Sequence, residues 1–344
     1  MVRTAWNGTV QGRAAAVLGV VALGGALAAC SSSDKHKTAT PSSPEAPPAS
    51  ETPAPTTHPF NGGKTGLKNP VLAVKVENTR SSMPQAGVKD ADIVYVEQVE
   101  GGETRLMAIF SSKLPKRVGA VRSARISDLH ILPQFGKPAF AFSGVQPAMK
   151  KYIRRAPVFD ISQDNGGSAY YRYGEHPIPY NLFANPKDLL KQAPKATGPR
   201  DIGFTFGPAP DGGKPIKNFT AKWPATTMGF SWSAKQNRWL TSFNGRPDMA
   251  REGGQLGGKT VVVQQVKTTR SQFKDVLGAY TPLIKSVGTG KATVLRDGKA
   301  FDAQWSRPSE DKGTTYTTPD GKPLNFPPGQ VWVVLVNEGK PYMP

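Results

Sequence analysis

An α+β fold is predicted for this 344-residue chain, on three observations. Before residue 145, the runs at 71–78, 93–97 and 106–110 are apolar nearly throughout rather than alternating, as strands buried on both faces are. Beyond residue 216, strand-like stretches are punctuated by Asn244-Gly245, Asp297-Gly298 and Asp320-Gly321, the turn pairs that join antiparallel hairpins. Between the two lies a Pro- and Gly-rich stretch over 192–215 that reads as an interdomain connection. The expected division is an N-terminal α/β domain over 59–205, with helices around a central sheet, and a mostly antiparallel β domain over 216–344.

The N-terminus is read as an export signal. Arg3 and Arg13 precede an apolar, small-residue run from Ala14 to Ala29, too short and too rich in Gly and Ala for a comfortable membrane span. It ends in Leu27-Ala28-Ala29-Cys30, which closely resembles the bacterial lipobox, and Cys30 is the single cysteine of the chain. That resemblance implies a signal peptide over 1–29, a lipid on Cys30, and an extracytoplasmic protein held to the cell membrane by that lipid. With one cysteine there can be no intrachain disulfide, so stability must come from packing. Residues 30–58, rich in Ser, Thr, Pro and Ala, cannot bury enough apolar surface to offset their ordering entropy and are expected to act as a tether.

A formal charge of +19 and a pI near 9.9 call for an anionic partner. Outside a cytoplasmic membrane the abundant polyanions are lipid headgroups and phosphate-bearing wall polymers, so an anionic envelope polymer or a lipid-linked precursor is expected. Nucleic acid is not, because the export signal argues against it and no nucleic-acid-binding module signature is present.

Within the N-terminal part, helices are expected at 124–132, at 147–154, which opens with Pro147, and at 186–192; a further short strand is expected at 138–144. In the C-terminal part, strands are expected at 228–233, 238–243, 259–267, 292–296, 301–305, 314–318 and 330–336. Trp232, Trp239, Trp305 and Trp332, one in each of four strands, suit a core better than a sugar-stacking platform.

The chemistry concentrates between Glu97 and Asp128. Glu97, Glu100 and Glu103, the glycines Gly101 and Gly102, and Arg105, Arg122 and Arg125 surround the 106–110 strand, placing charge at the ends of a rigid element. Guanidinium forks hold phosphate or carboxylate bidentately, and the glycine pair could let backbone amides approach the same group. The expected ligand site is Arg105, Arg122 and Arg125 with Glu97, Glu100, Asp128 and Asn181; an ion-paired scaffold is the alternative. No cofactor is expected, unless acids near the arginines hold a divalent cation for phosphoryl transfer. There is no Gly-x-Ser-x-Gly elbow, and His36, His58, His130 and His176 lack metal-ligand spacing. A glycosidase needs two facing carboxyl groups, and nearby arginines would lower rather than raise the pKa of a general acid.

Longer strings carry a family resemblance. Val76-Glu77-Asn78, Pro84-Gln85-Ala86-Gly87, Val99-Glu100-Gly101-Gly102-Glu103-Thr104-Arg105, Val121-Arg122-Ser123-Ala124-Arg125, Trp305-Ser306-Arg307 and Pro328-Gly329-Gln330-Val331-Trp332 resemble the YerB-type bacterial lipoproteins. The resemblance covers nearly everything after residue 65 and implies two domains of unknown function. Relatives tend to have Pro-His-Asn-Leu where this chain has Pro179-Tyr180-Asn181-Leu182, with His176 just upstream, which weakens any histidine-based mechanism. A fainter similarity, in the order of Glu103-Thr104-Arg105, Arg122-Ser123-Ala124-Arg125 and Ser143-Gly144, is to the LytR-CpsA-Psr phosphotransferases. Three functions therefore stand open: an envelope-binding lipoprotein, a phosphotransferase on polyprenyl-pyrophosphate-linked wall polymer, and a glycan-cleaving wall enzyme. Whether the protein is an enzyme is left undecided at this point.

Overall fold

The computed structural model describes residues 56–174 and 176–339; the expected signal peptide, Cys30 and all but the end of the expected tether lie outside them. Three strands form the centre: β1 (Leu72–Asn78), β2 (Ile93–Gln98) and β3 (Thr104–Phe110). β3 lies between the other two and pairs antiparallel with each, and its seven residues are all buried. Both faces are therefore covered, and this is why the run carries no polar alternation.

On the far side of β2 lies the strand Val331–Asn337, parallel to it. That strand pairs in turn, also parallel, with Thr260–Val266, and the sheet continues antiparallel through Gly288–Arg296, Lys299–Arg307 and Thr315–Thr317. Beyond β1 it ends in Ala139–Ala141 and Phe159–Asp160. One sheet thus runs through both halves of the chain, and both cores draw on residues from either side of the 205–216 stretch. The C-terminal half is not purely antiparallel, because its last strand sits between two parallel neighbours.

The cover differs from the expectation of helices around the sheet. One face packs on α1 (Ile126–Ile131), Phe135, Met149 and Ile153, together with Phe273 and Ile284. The other packs on Phe219, Met228, Phe230, Trp239 and Phe243 from a separate five-stranded antiparallel sheet. An apolar strand records that both its faces are buried, not what buries them. Helices appear near the three expected places, yet each α-helix among the described residues has six residues. Proline and glycine explain one early stop: Pro133 turns α1 into a 3-10 segment, which Gly136 closes with a positive φ. The fold is α+β in outline, but strands dominate it.

The 192–215 stretch is not a free connection. Ile202 and Phe204 are buried; Thr314 N–H donates to Ile202 O at 2.8 Å, and Phe326 N–H to Thr205 O at 2.7 Å. Irregular backbone is thus clamped to the body around Ile202 and Phe204, while 208–215 is largely exposed. The fold also begins earlier than expected: His58, assigned to the tether, is buried, and its ring stands edge-on to Phe60 at 5.1 Å.

The tryptophans follow the core expectation. Trp239, Trp305 and Trp332 are buried, and Trp232 is half-buried with its ring centroid 5.4 Å from that of Trp239. Asn244-Gly245 and Asp297-Gly298 all take positive φ, as the mirror-image two-residue hairpin turn requires.

Candidate functional site

Strand register sets the charged residues in a row. Arg105 of β3 is directly opposite Glu77 on β1 and Glu97 on β2, so the three share one face of the sheet. Lys75, two residues before Glu77, lies on that face as well. The same face carries Tyr95 and Met107 into the core against α1, so these charges enter an apolar layer and must be paired.

They are paired in two tiers. In the lower tier Lys75 is fully buried and its Nζ donates to Glu97 Oε1 at 2.9 Å and Asp128 Oδ1 at 2.6 Å. Asp128 Oδ2 also accepts the Arg125 backbone N–H at 2.6 Å, so the triad is tied to the start of α1. One ammonium offsets one of two carboxylates. Burial pushes the Glu97 carboxyl up to about 8, with Lys75 opposing the shift and Asp128 adding to it.

The upper tier opens to solvent. Arg122 Nε donates to Glu77 Oε2 in a short hydrogen bond, and Arg105 Nε stands 3.8 Å from the same oxygen. Arg125 grips Glu100 with a two-pronged fork, Nε to Oε1 at 2.7 Å and Nη2 to Oε2 at 2.7 Å, and the Thr281 hydroxyl donates to Glu100 Oε1. Burial alone would raise the Glu100 carboxyl, but the Arg125 hydrogen bonds and charge, with Thr281, outweigh it and hold it below the usual range. Burial and the nearby charge of Arg125 pull the Arg105 guanidinium down to about 10, with Glu77 opposing and Arg122 adding.

All three guanidiniums line one cleft of about 780 Å³. Its walls include Glu77, Tyr180, whose ring faces the Arg122 guanidinium at 5.4 Å, and the tip of a hairpin around Val276. The side chains of Arg105, Arg125 and Arg122 are 8%, 13% and 19% exposed, in that order. Two further acids on the rim are engaged elsewhere. Glu103 Oε2 accepts from the Thr226 hydroxyl at 3.2 Å, and Asp275 Oδ1 accepts the Leu277 and Ala279 N–H groups at 2.9 and 2.8 Å.

Of the expected site residues, Arg105, Arg122, Arg125 and Glu100 come together in the cleft. Glu97 and Asp128 do not line it; they lie buried beside Lys75. Asn181 is beside rather than in the cleft, its Oδ1 accepting from Arg172 Nη1 at 2.7 Å, while its neighbour Tyr180 forms part of the wall. The glycine pair does not present amides to the cleft. Gly102 is pressed against Pro224, where an added Cβ would lie 2.5 Å from the proline Cβ, and its carbonyl accepts the Ala225 N–H at 3.1 Å. His176 approaches Arg251 at 2.9 Å outside the cleft. Among the described residues no group of three or more His, Cys, Asp or Glu could hold a metal ion.

Models of the two domains of a protein family of unknown function, DUF3048, match this chain in order, the N-terminal domain at residues 57–200 and the C-terminal domain at 219–333. The chain belongs to the DUF3048 family. It is 27% identical over 292 residues to a Bacillus subtilis (strain 168) protein named "Putative lipoprotein YerB", a match covering 81% of this chain and 85% of that one. The crystal structure of YerB from Bacillus subtilis superposes with a TM-score of 0.69 at 24% identity, over 81% of this chain and 96% of that one. That likeness is one of fold.

In this DUF3048 chain, sequence reasoning missed Lys75, Glu77, Tyr180, Thr281 and the 268–284 hairpin. A signal for the first two was present: Lys75 and Glu77 interrupt an otherwise apolar run, and charges within a doubly buried strand need partners. For the hairpin there was none, because Thr268–Lys274 and Tyr280–Ile284 are polar, bulged and broken by Pro282.

Proposed function

We propose that this protein is a lipid-anchored extracytoplasmic binding protein whose arginine cleft takes a phosphate or carboxylate group of an envelope polymer or lipid-linked precursor. One observation carries the reading: three guanidiniums on one wall share two carboxylates, Glu77 and Glu100. Arg105 is the one left short, at ion-pair distance from an oxygen that Arg122 already holds and with a buried Nε that makes no hydrogen bond. An anion entering between Arg105 and Arg122 would supply the missing acceptor and relieve the repulsion among like charges.

A glycan-cleaving mechanism finds less support in this geometry. Its general acid needs a raised pKa facing the substrate, whereas Glu100 in the cleft is held low and the raised carboxyl, Glu97, is sealed beneath. Phosphoryl transfer shares the anion step with binding, so added magnesium and a polyprenyl pyrophosphate analogue would separate the two.

Arg122, the most exposed of the three, is the residue to test. Calorimetry with inorganic pyrophosphate and with a polyglycerol-phosphate polymer is expected to show Arg122→Ala losing about 1.5–3 kcal/mol of binding, roughly ten- to a hundredfold in affinity. Its melting temperature should fall as well, because the substitution takes the hydrogen-bond partner from the buried Glu77 carboxylate, so affinity is compared well below the midpoint of unfolding. Unaltered affinity in both Arg122→Ala and Arg125→Ala would defeat the proposal. Arg105→Ala is a poorer probe, since its guanidinium is buried and its removal strains the fold.

The anchor has its own test. Cys30→Ser is expected to accumulate as an uncleaved precursor without an acyl chain, because the lipobox chemistry needs the thiol. A Cys30→Ser protein that is still processed and membrane-bound would remove this part of the reading.

A further inference from the structure

The hairpin formed by Thr268–Lys274 and Tyr280–Ile284 is joined to the body at its base and exposed at its tip. Phe273, just before the turn, packs edge-on against Tyr152 at 5.4 Å, and at the base the Ile284 N–H donates to the Ser127 hydroxyl on α1 at 3.0 Å, so the body holds the hairpin along its strands. At the tip, Val276 is 100% exposed and Leu277 89%, and Tyr280 next to them is also exposed. Two large aliphatic side chains in water at a turn are costly, and the turn does not need them. Asp275 already closes it by accepting the Leu277 and Ala279 N–H groups, so small polar residues would serve the fold better.

The charge around the tip has one dominant sign. Lys267, Arg270, Lys274 and Lys285 are exposed on the two strands and the residues flanking them, and the Lys274 ammonium and Arg270 guanidinium lie over the Tyr280 ring at 4.5 and 5.4 Å. Aliphatic residues at an apex, an aromatic ring just behind them and basic residues behind that match the layers of an anionic bilayer: acyl chains, interface, then headgroup phosphates. The tip is also a wall of the arginine cleft, for Lys274, Val276, Leu277 and Thr281 all line it.

We infer that the Val276-Leu277 tip inserts into an anionic phospholipid bilayer and sets the arginine cleft against the membrane surface. The anionic group that the cleft takes is then one borne by a membrane amphiphile, with its phosphate among the arginines and its apolar part leaving past Val276 and Leu277. This rests on the anion-binding reading of the cleft for the ligand, but not for the docking. A lipid on Cys30 would keep the protein near a membrane, and the hairpin would orient it there.

The test follows the tip itself, so that binding through the N-terminal apolar run does not confuse it. The full chain carrying Cys30→Ser and Leu277→Trp is mixed with vesicles of phosphatidylcholine alone or with one-third phosphatidylglycerol, their acyl chains brominated; emission from the same chain lacking Leu277→Trp is subtracted. The emission added by Leu277→Trp is expected to shift to the blue and be quenched several-fold more with phosphatidylglycerol than without it, and Val276→Asp should abolish the quenching. If the added emission stays as open to aqueous iodide with vesicles as without them, the docking is wrong. Arg122→Ala keeps the two ideas apart: quenching that survives it while pyrophosphate binding is lost supports both. In the protein with Arg122 intact, pyrophosphate binding with no quenching sinks the docking alone, and quenching with no pyrophosphate binding sinks the ligand assignment.

Discussion

Lys75→Met is expected to destabilise the fold by about 3–5 kcal/mol, the range for removing one partner from a buried ionic group. Lys75 Nζ is the cation that both Glu97 Oε1 and Asp128 Oδ1 contact, and all three side chains are buried. Methionine fills nearly the same volume, so the loss would report electrostatics rather than a cavity. A dehydrated carboxylate has no water to turn to, which makes the orphaned partners, not the missing bond, the larger part of the cost. Adding Glu97→Gln and Asp128→Asn to Lys75→Met should recover most of the stability, because the triple variant leaves no buried charge there and an asparagine oxygen can still accept the Arg125 N–H. Chemical denaturation of the single and triple variants makes the comparison. A Lys75→Met protein within about 1 kcal/mol of the parent, the spread of ordinary substitutions, would show that the triad carries no such weight.

Glu97→Gln is expected to remove a pH dependence that the parent shows between about 4.5 and about 8. The folded state holds the Glu97 proton more tightly than the unfolded chain, since burial raises the carboxyl from 4.5 to about 8. The native protein therefore binds more protons than the unfolded chain across that window, and stability is lost as pH rises through it, levelling off above about 8. The sign is opposite to that of an ordinary salt-bridged carboxylate. Glutamine imitates the protonated acid, so Glu97→Gln should gain on the parent as pH climbs, by an amount on the order of a few kcal/mol across the window. The difference between the two proteins is the quantity to measure. Burial also lifts Asp248 to about 7, with Thr241 opposing, and adds a slope of the same sign that both proteins share. Parallel stability–pH curves for the two would mean that Glu97 does not keep its proton.

The sequence by itself determined the apolar strands, the Asn244-Gly245 and Asp297-Gly298 turns and the neighbourhood of the charges. Local chemistry suffices for these: an apolar run that spans a doubly buried strand, or an Asn-Gly pair that tolerates positive φ, acts over a few residues. It also pointed to Arg105, Arg122 and Arg125 as one group, since β3 and the turn after it return them to the same end of the sheet. Tertiary structure decided what long-range pairing decides. The parallel pairing of Val331–Asn337 with β2 joins residues more than two hundred positions apart, and no turn announces it, so nothing local shows that the two halves share one sheet. What covers that sheet was equally hidden, because a buried face looks the same beneath a helix or a second sheet. The division of the acids was settled only there too: Glu97 and Asp128 lie against Lys75 beneath the surface, while Glu77 and Glu100 rise beside the arginines. A carboxylate's role follows from how far water reaches it, and that depth is a property of the packed molecule rather than of the string of residues.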